Sequence, residues 1–181
     1  MGDTFTVSMS KTMKNFNEKV LPILKAHNSK CRYVSIEGRA NDEITKDFDI
    51  LAGIDAYRAD VGEMRGIASR IQFTKKGYPS FDTFSVRASR DSGALTEYAK
   101  RKHAIKTGAL YPYYTLQAYI GDSETVVGIC KTKDLLDYID KYNPPMRHTG
   151  ASQIGGAGFY VCKWAEMKEK GYPVLILKGA A

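Results

Sequence analysis

KDFDILAGIDAYRADVGEMRGIASRIQFTKK, residues 46–76, is the stretch whose reading decides the fold. Two runs of strand-forming residues, 48–57 and 66–73, flank a polar turn at 60–63, and this combination reads as a hairpin. Gly53 interrupts the first run and predicts a kink or a divided strand there. In the second run, alternation puts Gly66, Ala68, Arg70 and Gln72 on one face and Ile67, Ser69, Ile71 and Phe73 on the other. Arg70 and Gln72 therefore act together, beside the strand that carries Asp55.

On the N-terminal side, residues 31–37 read as a strand and 38–46 as a polar loop. Before them, Met13, Phe16, Val20, Leu21 and Leu24 recur at helical spacing across 11–27, which predicts an amphipathic helix capped by Ser10 and bent near Pro22. On the C-terminal side, 83–88 alternates as a half-buried strand and extends the run of contiguous strands. Ser92 caps a helix to about Lys106, with Leu95, Tyr98 and Ile105 on one side and Glu97, Lys100, Arg101 and Lys102 on the other. Gly108 and Pro112 stop it. Strands at 113–120 and 125–130 follow, then a helix capped by Thr132 that ends at the Pro144-Pro145 pair.

The glycines of 146–158 predict a loop, followed by a short strand at 159–163, a helix to Lys170 and a last strand near 174–177. This order suits one α/β (α+β) domain over 1–181, a central mixed sheet flanked by helices, better than a regular doubly wound array.

Asp47, Asp49 and Asp55, followed by Arg70, Gln72, Lys75 and Lys76, form the first chemical constellation. A Mg²⁺ site for phosphodiester chemistry takes one or two carboxylates and keeps waters, and Asp55 beside Gln72 supplies such oxygens. A solvated loop in which Asp47 and Asp49 are turn or capping residues is the plainer reading of the cluster.

These residues resemble the PD-(D/E)XK nuclease superfamily, in which an acid on one strand and an acid-x-lysine on the next hold metal and activate water. Asp55 in GIDAY matches the first acid; the second acid falls at Gln72, and the lysine position at Thr74, with Lys75 adjacent. The resemblance covers about residues 10–120 and implies a restriction-endonuclease-like core. It also implies Asp49, Asp55 and Gln72 as ligands of Mg²⁺ or Mn²⁺, with Asp55, Gln72, Arg70 and Lys75 as the catalytic set. It implies either a variant deoxyribonuclease or a nuclease-derived binder that has lost hydrolysis.

Charge points to the same class of partner. The chain carries a formal +7, and all of it lies between Arg65 and Gly108, where ten basic residues face three acidic ones; the remainder is neutral. Lys75, Lys76, Arg87, Arg90, Lys100, Arg101, Lys102 and Lys106 read as a phosphate-binding stripe, with DNA the expected partner. A non-catalytic phage or mobile-element factor, such as an inhibitor of an RNA-guided (Cas9-type) nuclease, is the alternative reading. A basic face for an acidic protein partner is a third. A symmetric dimer suits duplex cleavage.

Other classes lack their signatures. Cys31, Cys130 and Cys162 are far apart and form no Cys-x-x-Cys pair, which argues against a disulfide framework and against structural zinc, and suits a reducing, cytoplasmic setting. His27, His103 and His148 have no metal spacing. No apolar run approaches the roughly 20 residues of a membrane span. The glycine-rich 150–158 stretch does not follow a strand, so it is not a dinucleotide loop.

Overall fold

The computed structural model describes residues 14–36, 53–74, 81–149 and 156–180. Ser10, the 38–46 loop, Asp47, Asp49, Lys75 and Lys76 lie outside the described residues.

The opening helix is a π-helical turn, Phe16–Val20, running directly into α1, Leu21–His27. Pro22 sits in the first turn of α1, where its missing N–H is not needed. At the junction Leu21 N–H donates to the Phe16 carbonyl, so the expected bend takes the form of a register change.

β1 (Arg32–Ser35), β2 (Ala56–Asp60) and β3 (Glu63–Phe73) form an antiparallel meander. The expected hairpin forms with shifted bounds: its first strand is Ala56–Asp60 rather than 48–57, residues 53–55 precede it without strand pairing, and 48–52 lie outside the described residues. Asp60 pairs with Glu63 across Val61 and Gly62, and Gly62 takes the left-handed φ of 79° that this tight turn requires. β5 (Tyr114–Ile120) lies parallel to β3, β6 (Glu124–Lys131) pairs with β5, and β9 (Leu175–Ala180) completes the order β1-β2-β3-β5-β6-β9. Among the described residues only the β3 and β5 pair is parallel, and parallel neighbours need a crossover.

That crossover contains β4 (Thr83–Arg90) and α2 (Glu97–Thr107). The sequence reading placed β4 in the same run of strands; instead it leaves the first sheet and pairs with β8 (Ala157–Lys163) in a three-stranded sheet ordered β4-β8-β7. β7 is Met146–Thr149, within the stretch expected to be a loop. Glycine fits β8 because a Cβ on Gly158 would stand 2.5 Å from Ser89 Oγ and 2.8 Å from Met146 Sδ.

Two more caps differ from expectation. Thr96 rather than Ser92 caps α2, its Oγ1 accepting from Ala99 N–H at 3.3 Å. For α3 (Thr132–Tyr142), Thr132 is a buried first residue whose hydroxyl bonds Thr115 Oγ1 at 2.9 Å, and Lys131 takes the cap position. α4 (Trp164–Glu169) is the fourth helix among the described residues.

The result is one α+β domain in layers. Phe16 and Val20 of the π-helical turn and Leu24 of α1 pack the opening helix on one face of the large sheet, against Ile67, Leu116 and Val127. The opposite face meets the small sheet and α3 and α4 through Tyr119, Phe84, Val86, Leu135, Trp164 and Met167. Among the described residues no helix is long and apolar enough to cross a membrane.

Candidate nucleic-acid interface

The strand register builds the site. Asp55 precedes β2; its N–H donates to the Ile67 carbonyl at 2.9 Å, which places its carboxylate beside the Ser69 amide two residues along β3. Oδ2 accepts from both Ser69 N–H and Ser69 Oγ, the latter at 3.1 Å. Asp55 thus continues the β2–β3 ladder past the end of strand pairing and satisfies an amide that β2 no longer reaches.

Arg70 pairs with Gln117 and Gln72 with Tyr119 in the parallel β3–β5 register, and alternation points all four toward the small sheet. Arg70 donates to the Glu97 carboxylate from the first turn of α2. Asp55, Ser69, Arg70, Glu97, Arg101 and Gln117 line one cavity of about 140 Å³. Gln117 is 1 % exposed and Arg101 9 % exposed. Burial acts to raise Glu97, but Arg70, then Arg101 and Arg87, outweigh it and hold the carboxyl below its ordinary value. Arg101 is pushed down by burial, opposed by the charges of Glu97 and Asp55.

A second space of about 240 Å³ adjoins this cavity across Arg70 and Ser85 and lies between the two sheets. Arg87, Phe159 and Arg147 form one row across β4, β8 and β7. The Arg70 guanidinium lies 5.0 Å and that of Arg87 5.3 Å from the Phe159 ring centroid. Thr83, Ser85 and Thr149 add hydroxyls and Gln72 an amide to the same cleft, with Phe81 as a second aromatic ring. Burial lowers Arg87, and neighbouring Arg70 and Arg90 lower it further against the pull of Glu97. Among the described residues, its buried Nε has no hydrogen-bond partner.

The sequence-derived set divides accordingly. Asp55 and Arg70 share the cavity; Gln72 does not line it, and lies on the exposed end of β3 in the adjoining cleft, accepting from Gln117 Nε2 at 3.4 Å. The register explains this correction, because Ser69 rather than Gln72 stands beside Asp55. Arg101, read as part of an outward basic face, is interior, and Glu97 turns inward with it. Arg90, Lys100 and Lys106 are exposed, whereas exposed Lys102 is paired with Asp140 at 2.9 Å. Asp49, Lys75 and Lys76 fall outside the described residues. Glu97, Gln117, Arg147 and Phe159 were missed. For Glu97 a signal existed: Leu95, Tyr98 and Ile105 are too few to make an apolar stripe, so α2 had to bury polar residues.

The donor set bears on the divalent ion that the nuclease resemblance implies. The cavity offers the oxygens of Asp55, Glu97 and Gln117, but Glu97 is paired with Arg70 and Asp55 is hydrogen-bonded to Ser69. Two guanidiniums, Arg70 and Arg101, line the space with these two carboxylates, and among the described residues no group of three His, Cys, Asp or Glu side chains converges. Fixed cations here neutralise the charge a resident Mg²⁺ or Mn²⁺ needs, so the described residues, paired as they are, do not fit that ion.

No protein-family model, curated protein or solved structure matches the chain.

Proposed function

We propose that this protein binds nucleic acid through phosphate groups in the cleft between its two sheets, and does so without a resident divalent metal. The observation that carries this reading is the crowding of Arg70, Arg87 and Arg147 around Phe159, with Glu97 the acid paired to one of them and a buried Arg87 Nε left without a partner among the described residues. Like charges gathered at a partly desolvated site repel one another, and an anionic ligand removes that penalty. Guanidinium forks match phosphate oxygens in pairs. Exposed Arg90, Lys100 and Lys106 add sequence-independent attraction around it.

The antiparallel β1-β2-β3 run, the crossover to parallel β5 and the position of Asp55 at the head of β2 support the nuclease-like frame. In this reading Asp55 and Glu97 position Ser69, Arg70 and Arg101, and the arginines hold the nucleic acid. Metal-dependent cleavage is the second reading: Asp55, Glu97 and Gln117 meet in one cavity, and it requires that Glu97 leave Arg70 before it can take a metal.

Fluorescence anisotropy with labelled DNA and RNA at several salt concentrations tests the first reading: affinity falls linearly on a log–log plot against salt, with a slope near the number of phosphates engaged. Absence of any retained nucleic acid near 50 mM salt overturns it. Products that form with Mn²⁺ or Mg²⁺ and vanish in chelator and in Asp55→Ala would establish the second reading instead.

A further inference from the structure

We infer that the ligand of the cleft is an unpaired nucleotide, so that the protein prefers single-stranded to double-stranded nucleic acid; this rests on the nucleic-acid reading above. At about 240 Å³ the cleft is small, and its walls come from two sheets, Thr83 and Phe159 on one side and Arg70 and Gln72 on the other. Such a cleft takes a base or a phosphate group from a single strand, whereas a double helix presents its phosphates on a convex surface. A duplex therefore meets only the exposed cations outside it.

The lining has the three kinds of group that a single nucleotide uses. Arg147 and Arg70 supply phosphate donors, and Gln72 supplies an amide for a base edge. Phe81 supplies a ring: it is 53 % exposed, lines the cleft, and is steadied by Tyr119, whose ring centroid lies 5.7 Å away. Phe159 already carries Arg70 and Arg87 against its ring, which leaves Phe81 as the stacking platform. Phe73 is exposed to a similar degree, 54 %, but strand alternation places it on the opposite side of β3 from Gln72, so it is the matched control.

The test is an anisotropy titration at one salt concentration with a single strand, the same sequence as a duplex, and that duplex carrying one bulged base. The wild-type protein is compared with Phe81→Ala, Phe81→Trp and Phe73→Ala. Single strand and bulged duplex are expected to bind about tenfold tighter than perfect duplex, and Phe81→Ala to lose about tenfold on the first two ligands only. Phe81→Trp retains the preference, and Phe73→Ala behaves as wild type. Perfect duplex binding as tightly as single strand, or Phe81→Ala weakening all three ligands equally, overturns the inference and leaves the nucleic-acid reading standing. Failure of all three ligands to bind overturns both. Phe81 is half exposed, so circular dichroism of each variant is expected to match wild type.

Discussion

Arg70 on β3 and Glu97 at the first turn of α2 form an ion pair across the seam between the large sheet and the crossover that leads to β5. Their side chains are 24 % and 26 % exposed, between the surface pairs that contribute little and the buried pairs that are costly to break. Removing the acid leaves Arg70 and buried Arg101 without their main counter-charge. Glu97→Gln is therefore expected to lower stability by about 2 kcal/mol in urea unfolding, discounted from the fully buried case for partial solvent screening. The Arg70→Met, Glu97→Leu double variant, which leaves no charge unpaired within the pair, is expected to recover part of that loss. A Glu97→Gln variant as stable as wild type would mean that α2 is held by its apolar residues alone.

The same pair sets a pH dependence. Glu97 is held below its ordinary value, so its stabilising effect is complete above the unfolded carboxyl range and is lost as pH falls through the lower folded value. Asp140 behaves alike: Tyr98 and Lys102 hold it down against the upward effect of burial. Thermal midpoints are expected to be flat near neutrality with respect to these groups and to fall below about pH 4. Glu97→Gln is expected to flatten that acid limb, and an unchanged limb would assign acid unfolding to other carboxylates.

How much of this was legible in the sequence depended on whether a feature was local. The β2–β3 hairpin was readable because its turn residues and alternation lie within one short stretch. The separation of β4 was not, because Phe84 and Val86 alternate in the same way whether they add to the first sheet or cover it; only the meeting with Trp164 and Tyr119 decides. Arg101 was misplaced for a related reason: charge ordinarily marks a solvated face, and its burial depends on Glu97 turning inward one turn earlier on α2 and on Asp55 arriving from the head of β2. Asp55 was identified as a site residue, but its partner is Ser69, and that pairing follows from register rather than composition.

The thiols give a check on the core. Cys130 on β6 and Cys162 on β8 are buried in the core between the large sheet and the small one; burial pushes Cys162 up to about 12 and Cys130 well above its ordinary value. Neither is a ready nucleophile. At pH 8 their reaction with a disulfide reagent is expected to be at least roughly a hundredfold slower in the native protein than in denaturant. Fast native labelling at either position, located by peptide mapping, would contradict the packing of β6 against β8.

Metal provides a readout independent of cleavage. With Arg70 and Arg101 in the cavity of Asp55 and Glu97, millimolar Mg²⁺ or Mn²⁺ is expected to leave the thermal midpoint within about 1 °C of its chelator value, since a ligand that binds only the folded state must raise it. In Arg70→Met the Glu97 carboxylate is released, and a metal-dependent rise there, absent in wild type, would show that the guanidinium is what keeps the ion out. A clear rise in wild type would instead restore the metal-dependent reading.

The basic residues separate by what they already hold. Lys102 is tied to Asp140 and to Tyr98 Oη, so Lys102→Ala is expected to lose stability slightly and nucleic-acid affinity little. Arg147 lines the cleft and Arg87 flanks it, each paired with Phe159 on a neighbouring strand of the small sheet, and Arg147→Gln or Arg87→Gln is expected to weaken binding and reduce the salt slope by about one for each phosphate contact removed. Lys100→Ala with Lys106→Ala acts from the exposed face of α2 and is expected to lower affinity alike for single strand and duplex, since those side chains stand outside the cleft. Anisotropy at three salt concentrations for each variant separates the two groups. Equal losses from Lys102→Ala and Arg147→Gln would mean that the ligand reads net charge alone, and that the arginine row around Phe159 is not where the phosphate sits.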